Sequence, residues 1–236
     1  MIAKAQHYWR AQSYSLGGEN GRAIPDYTDS IRLSKLAGES SSLANTAIIG
    51  RALAYLKSSL YDFAIDDYNN LLQADDKDPI LRASYLLSRG EAFLEKGEYE
   101  RALADFNAGL TASPTFYELY IARARLHLTT DQPDLAIADC TTALTLYPNA
   151  ASAYLRRGLA YWLKKSYRLS EEDLSKAIKF GPEIMSYHYR ADIYKRQGRF
   201  KEALADWRRI LELRAEAPFE REMQQQAAVE ITKDVQ

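Results

Sequence analysis

The stretch ASYLLSRGEAFLEKGEYERALADFNAGLTASP, residues 83–114, has the pattern of two short helices joined by a tight turn. Apolar residues recur three and four positions apart on both sides of Gly97, which is the spacing of an amphipathic helix. Gly97 lies midway between Arg89 and Asp105 and is the predicted turn residue. Pro114 ends the stretch, so the pattern predicts one helical hairpin.

The same pattern occurs six times along the chain. Each copy has an arginine, then Ala or Gly, a ring four positions after the arginine, and an aspartate sixteen positions after it. The arginines are spaced 41, 38, 34, 34 and 33 residues apart. Repetition at this period indicates a helical-repeat protein, in which each hairpin buries its apolar face against its neighbours. The six pairs are Arg10 and Asp26, Arg51 and Asp67, Arg89 and Asp105, Arg123 and Asp139, Arg157 and Asp173, and Arg190 and Asp206.

The two members of each pair are expected to stand at the same level of an antiparallel hairpin. Each arginine comes about as far before the predicted turn as its aspartate comes after it. We therefore expect each pair to bridge the helices of its own hairpin, or helices of adjacent hairpins, through the planar guanidinium. The alternative is a row of arginines that reads an acidic ligand. The recurrence of the aspartate with the arginine favours the structural interpretation.

The third copy resembles the tetratricopeptide repeat, a helix–turn–helix unit of about 34 residues with small residues where its helices cross. This resemblance implies an all-α, right-handed α-solenoid of six helical hairpins. Phe219, Met223, Ala227 and Ile231 recur every fourth position and predict a C-terminal capping helix. The predicted repeats of a single domain over residues 1–236 are 4–37, 45–78, 83–116, 117–150, 151–183 and 184–217, with the capping helix at 219–234.

The resemblance also implies a concave groove, lined by the first helices of successive hairpins, that commonly receives a peptide. We expect its arginine and aromatic side chains to contact a partner with acidic and apolar groups. The alternative is that these side chains cover apolar surface or fill space between hairpins. The candidate groove residues are Leu53, Leu87, Arg125, Arg156, Leu159, Trp162, His188 and Tyr189.

One specialisation of the family is not expected here. Relatives that grip the carboxyl-terminal tails of heat-shock chaperones hold two carboxylates with Lys and Asn on three successive first helices. The matching slots in this chain hold Tyr8, Gln12, Gly50, Ser84 and Ser88. A clamp of that kind is therefore not predicted.

Composition argues against several other classes of function. The chain of 236 residues has a formal net charge of −1, which supports no overall attraction to nucleic acid or to an anionic membrane. No apolar run approaches the roughly 18 residues needed to cross a bilayer, so direct membrane insertion is not expected. His127 occupies a ring slot, and Cys140 occupies the bulky slot beside Asp139, so both are predicted to be packing residues. Neither catalytic activity nor a metal or cofactor is predicted.

The sequence therefore favours a non-catalytic scaffold or adaptor that binds a peptide or protein segment, of unknown identity, in the groove. A self-assembling, homo-oligomeric component is the first alternative. An RNA-binding helical repeat is less favoured because the groove has no repeated basic residues. The compartment stays open: the cytoplasm is slightly favoured over an exported or periplasmic form whose signal has been removed.

Overall fold

The computed structural model describes residues 2–37, 42–73 and 78–233, and within them it contains thirteen α-helices and no strand. The all-α class predicted from the apolar spacing is confirmed. Residues 38–41 and 74–77, and the predicted end of the capping helix at Asp234, lie outside these ranges. The helices are α1 (Ile2–Leu16), α2 (Asn20–Leu36), α3 (Ser42–Lys57), α4 (Tyr61–Gln73), α5 (Pro79–Glu95), α6 (Tyr99–Ala112), α7 (Tyr117–Thr129), α8 (Pro133–Leu146), α9 (Ala151–Leu163), α10 (Tyr167–Phe180), α11 (Ile184–Arg196), α12 (Phe200–Glu212) and α13 (Pro218–Lys233).

The chain divides into two compact units, Met1–Leu119 and Tyr120–Gln236. In the first unit the hairpins are α1–α2, α3–α4 and α5–α6, and each hairpin packs against the next one along the chain. In the second unit α9–α10 and α11–α12 pack in the same way, and α13 packs against α11 and α12. Contacts between sequence neighbours are the arrangement of a helical repeat. The single domain over residues 1–236 stays a prediction.

Every hairpin turn contains one residue with a left-handed backbone, eight positions after the arginine. Gly18, Gly97 and Gly198 have φ of 77°, 77° and 74°. The other three turns reach the same region without glycine, at Ser59, Asp131 and Lys165, whose φ values are 57°, 55° and 57°. Because a Cβ makes this conformation costly, glycine is the residue that forms it most readily.

Small residues let the helices of a hairpin approach closely. A Cβ on Gly90 would lie 2.5 Å from the ring of Phe106, and a Cβ on Gly158 would lie 3.0 Å from Leu174. Phe106 and Leu174 each follow the aspartate of their hairpin, and both are fully buried. The bulky residue after the aspartate thus fills the space that the small residue after the arginine leaves open.

Helix α13 closes the last hairpin through one face. Ala227 is buried, and Met223 and Ile231 pack against the same cluster. Phe219, predicted to share this face, lies in the first turn of the helix and is 44% exposed. Gln224 donates hydrogen bonds to the carbonyl oxygens of Ile210 (3.0 Å) and Leu213 (2.7 Å), and so binds the C-terminal end of α12.

Candidate functional site

The six repeated arginines each contact the aspartate of their own hairpin. In every pair, Nε and Nη2 donate to the two carboxylate oxygens over 2.5–2.9 Å. This two-point geometry is the one that a planar guanidinium forms best with a carboxylate. Because the first helix carries the arginine and the second carries the aspartate, each pair joins the two helices of one hairpin.

At least four of the arginines also reach the preceding hairpin through the third nitrogen, Nη1. Its acceptors are side-chain oxygens that lie two residues after the preceding aspartate. Arg51 donates to Thr28 (3.1 Å) and Arg89 to Asn69 (2.6 Å). The other two contacts are Arg157 to Thr141 (3.2 Å) and Arg190 to Ser175 (3.0 Å).

These acceptors were not predicted, although the sequence contains a signal for them. The residue two positions after the aspartate is polar and uncharged in the first five hairpins and is an arginine in the last. These residues are Thr28, Asn69, Asn107, Thr141, Ser175 and Arg208.

The exposure of the arginine side chain and the pKa of its aspartate both differ between the first pair and the last pair. The Arg10 side chain is 56% exposed, whereas that of Arg190 is 17% exposed. Hydrogen bonds from Arg10 hold the pKa of Asp26 below its usual value of 3.8, against the opposing effect of burial. Burial raises the pKa of Asp206 above the same value, although Arg190 partly offsets this. The first and last carboxyl groups of the row are therefore shifted in opposite directions.

The candidate groove residues are divided between the two units. In the first unit, Leu53 lies on α3 with 44% of its side chain exposed, and Leu87 is half-buried on α5. The other six lie in the second unit on the first helices of three hairpins. Arg125 lies on α7, Arg156, Leu159 and Trp162 lie on α9, and His188 and Tyr189 lie on α11.

Three of these candidates meet at one cavity of about 250 Å³. Leu159, Trp162 and Tyr189 line it together with Leu128, Thr129 and Leu163. We call this set of six residues the Trp162 pocket. Arg125, Arg156 and His188 are not among its lining residues. The cavity lies between the first helices of successive hairpins, where Leu128 and Thr129 end α7 and Leu163 ends α9.

Polar and aromatic contacts fix the indole ring of Trp162. Its Nε1 donates to Oδ2 of Asp192 over 2.8 Å. Its ring meets the Tyr189 ring edge to face, with centroids 5.1 Å apart and planes at 74°. Arg196 donates from Nε to the same Asp192 oxygen over 2.7 Å and holds its guanidinium 5.8 Å from the Trp162 ring centroid. The ring is therefore positioned before any ligand arrives.

The polar candidates take other surroundings. His188 lies beside Trp207 and Glu230 at a smaller cavity of about 70 Å³. Burial lowers the pKa of His188 below its usual value, and Asp192 acts in the opposite direction. Arg156 donates from Nη1 to the carbonyl oxygen of Ser152, one turn earlier in its own helix, over 3.3 Å.

The described ranges contain no group of three or more His, Cys, Asp or Glu side chains arranged to hold a metal ion. Nor does any helix in that part of the chain combine the length and apolar character needed to cross a membrane. The lone Cys140 is buried, and burial raises the pKa of its thiol to about 12. A thiol with such a pKa is a poor nucleophile at neutral pH.

Comparison with known proteins identifies the repeat. One sequence profile of the tetratricopeptide repeat matches residues 49–115 and 121–183, and a second profile of the same repeat matches residues 185–216. This chain belongs to the tetratricopeptide repeat family. The family resemblance inferred from the arginine-containing units is thereby confirmed. The first hairpin, α1–α2, lies outside the matched ranges.

Several solved structures share the fold at low sequence identity. A repeat protein of Parabacteroides merdae matches with a TM-score of 0.68 and 18% identity, covering 99% of this chain and 92% of its own. A thermophilic repeat protein of Thermus thermophilus matches with a TM-score of 0.65 and 20% identity, over 80% and 100%. The Cut9–Hcn1 hetero-tetramer of the APC/C contains a chain matching with a TM-score of 0.75 and 15% identity, over 95% and 42%. A search of curated protein sequences finds no match.

Proposed function

We propose that this chain is a non-catalytic scaffold or adaptor that binds a peptide or protein segment along the first helices of its hairpins. Tetratricopeptide repeat proteins are generally non-catalytic interaction scaffolds. The observation that carries the proposal is the Trp162 pocket, an apolar cavity on the face that the family uses for peptides. Pockets of this kind, with aromatic walls and few polar groups, are the usual binding sites of proteins.

We assign the six arginine–aspartate pairs to the fold rather than to ligand binding. Both oxygens of each carboxylate accept from the arginine of the same hairpin. In four pairs the remaining guanidinium nitrogen donates to the preceding hairpin. An acidic ligand would have to displace these short, partly buried contacts. Arg125 and Arg156 are our candidates for contacts with acidic groups of a partner.

The solved relatives give limited support. One chain of the Cut9–Hcn1 hetero-tetramer has this fold and belongs to a complex of proteins. At 15% identity this likeness shows the fold alone. Protein binding by this chain is therefore argued from its own pocket.

Selection of peptides from a displayed random library against the full chain tests the proposal. The affinities of selected peptides are then measured for the wild type and for Leu163→Asp, which places a charge in the pocket at a side chain that is 43% exposed. We expect affinity to fall at least about tenfold, since an unpaired charge is costly in an apolar site. Leu135→Asp is the matched control, because Leu135 is 51% exposed on the second helix of its hairpin. Failure to select any peptide would contradict the proposal, whereas equal affinities of the two variants would contradict only the Trp162 pocket as the binding site.

Self-assembly is the second candidate function. The first hairpin exposes three large apolar side chains, Trp9 (64%), Leu16 (84%) and Leu36 (75%). Burial of such side chains against a second copy would favour association through the hydrophobic effect. Light scattering over a range of protein concentrations tests it: a monomer mass of 26.8 kDa at every concentration would exclude self-assembly.

A further inference from the structure

We propose that the Trp162 pocket receives one large, uncharged apolar side chain of the partner, of the phenylalanine or leucine type. That the side chain belongs to a peptide rests on the proposed function. The preference for an uncharged apolar group rests on the pocket alone. The proposal also gives the candidate groove residues different roles. Trp162 and Tyr189 would contact the apolar side chain of the partner, whereas Arg125 and Arg156 lie outside the pocket.

The lining and volume fit one apolar side chain. Five of the six lining residues are apolar or aromatic, and the cavity measures about 250 Å³. An apolar cavity of about 150 Å³ is large enough to hold benzene. The Thr129 hydroxyl donates to the carbonyl oxygen of Arg125 over 3.0 Å. The Thr129 hydroxyl is therefore satisfied within its own helix and does not call for a polar ligand group.

The charges around the pocket compensate one another. Asp192 accepts from Trp162 and from Arg196 at the same oxygen. Lys195, on the same helix, donates to Glu230 of α13 over 2.7 Å. None of the six lining residues is charged, so a charged ligand side chain would lose hydration without gaining an opposite charge there. An uncharged anchor avoids this penalty and gives binding that depends little on salt.

The fixed Trp162 ring lowers the cost of binding. Asp192 holds its polar edge, and Tyr189 packs against it edge to face. Ordering a mobile side chain opposes association, so a site that is already ordered binds more tightly for the same contacts. The indole N–H also gives the pocket its own reporter, because its nuclear magnetic resonance signal is sensitive to an aromatic ring placed nearby.

The test uses N-acetyl-phenylalaninamide as the probe and the full chain labelled with ¹⁵N. The three tryptophan indole signals are assigned with Trp162→Phe. For a probe of about fifteen non-hydrogen atoms, ligand-efficiency limits predict a dissociation constant on the order of 1 mM. We expect the Trp162 signal to shift saturably, with the same dissociation constant at about 0.05 and 0.5 M salt. N-acetyl-argininamide and the α-amide of N-acetyl-aspartic acid should bind at least about tenfold more weakly.

Leu163→Asp should abolish the shift, and Leu135→Asp should leave it unchanged. The inference is overturned if the phenylalanine probe leaves the Trp162 signal in place, if a charged probe binds as well, or if Leu163→Asp binds like the wild type. These outcomes are distinguishable from failure of the proposed function. Selected peptides whose affinity survives Leu163→Asp would sink the pocket inference while a peptide-binding role elsewhere stands. A saturable probe shift without any selectable peptide would support the pocket alone.

Discussion

At the scale of single residues, the hairpin turns show that different residue types adopt the same left-handed backbone conformation. Six turns use the same left-handed conformation, but only three of them place glycine there. The glycine turns could be predicted from sequence because glycine marks them. The turns at Ser59, Asp131 and Lys165 could be located only by counting from the arginine, since these residue types do not favour the left-handed conformation by themselves.

Replacing Lys165 with glycine is expected to stabilise the protein by about 0.5–1 kcal/mol, because the left-handed penalty of about 1–2 kcal/mol exceeds the entropy cost of glycine. The measurement is the midpoint of urea unfolding. Gly97→Ala is the opposite control and should destabilise by about 1 kcal/mol, since its φ is 77° and the nearest atom to the new Cβ, the Tyr99 hydroxyl oxygen, is 4.0 Å away. Destabilisation by Lys165→Gly would contradict the argument.

The thiol of Cys140 should resist alkylation by iodoacetamide at pH 8 in the native protein, because burial raises its pKa to about 12 and closes access to it. Mass spectrometry follows the modification over time. The same protein in denaturant is the control and should be alkylated within minutes. Rapid alkylation under native conditions would show that α8 opens at this point.

The two ends of the arginine row should respond oppositely to pH. A lowered folded pKa, as at Asp26, gives stability that is present above pH 3.8 and is lost as pH falls through the folded value. A raised folded pKa, as at Asp206, gives stability that is present below pH 3.8 and is lost as pH rises through the folded value. The stability difference between wild type and Asp26→Asn should therefore shrink on acidification, and that for Asp206→Asn should grow. Urea unfolding at several pH values measures both, and slopes of equal sign would refute the assignment.

At the scale of helices and hairpins, each repeated arginine connects helices through up to three hydrogen bonds. Two nitrogens hold the aspartate of the same hairpin, and in four cases the third holds a side-chain oxygen of the preceding one. The first part could be predicted from sequence, because both residue types are constant and their spacing is fixed. The contact with the preceding hairpin was not predicted, because the acceptor position holds Thr, Asn or Ser in different hairpins and no single residue type is constant there.

Arg89→Met should destabilise the protein by about 3–5 kcal/mol, since it leaves the buried Asp105 carboxylate without its partner. The double variant Arg89→Met, Asp105→Leu should lose less, because no charge remains buried. Chemical unfolding of the two single variants and the double variant gives the coupling free energy. Arg209→Met, at an ion pair whose side chains are 63% and 59% exposed, is the control and should change stability by less than about 0.5 kcal/mol. Equal effects of Arg89→Met and Arg209→Met would contradict a fold-stabilising role.

The candidate site was only partly predictable for a related reason. The family resemblance predicts which face of each first helix lines the expected groove, and Leu159, Trp162 and Tyr189 were selected on that basis. It does not indicate which side chains from successive helices converge. That convergence depends on side-chain direction at helix ends, as at Thr129 and Leu163, and on pairs such as Trp162 with Asp192.

At the scale of the whole molecule, the balance of charge separates the proposed function from nucleic-acid binding. The chain has 31 basic and 32 acidic residues. Binding to RNA draws most of its affinity from cations that neutralise phosphates. We expect a fluorescein-labelled single-stranded RNA to show no change in anisotropy with this protein at about 0.15 M salt. A basic RNA-binding protein is the positive control, and a salt-sensitive rise in anisotropy with this chain would favour the RNA-binding alternative.

The hydrogen bond from arginine Nη1 to the preceding hairpin also determines where hairpins of such a chain can be exchanged between proteins. Arg89 of α5 depends on Asn69 of α4, so an exchange that replaces α3–α4 as a block removes an acceptor from the hairpin that follows. Moving α4 together with α5 keeps the donor and its acceptor in one piece, and the arginine–aspartate pairs across the two cuts re-form because both residue types are the same in every hairpin. For gene fusion or consensus design, the interchangeable module therefore begins at the second helix of one hairpin and ends at the first helix of the next.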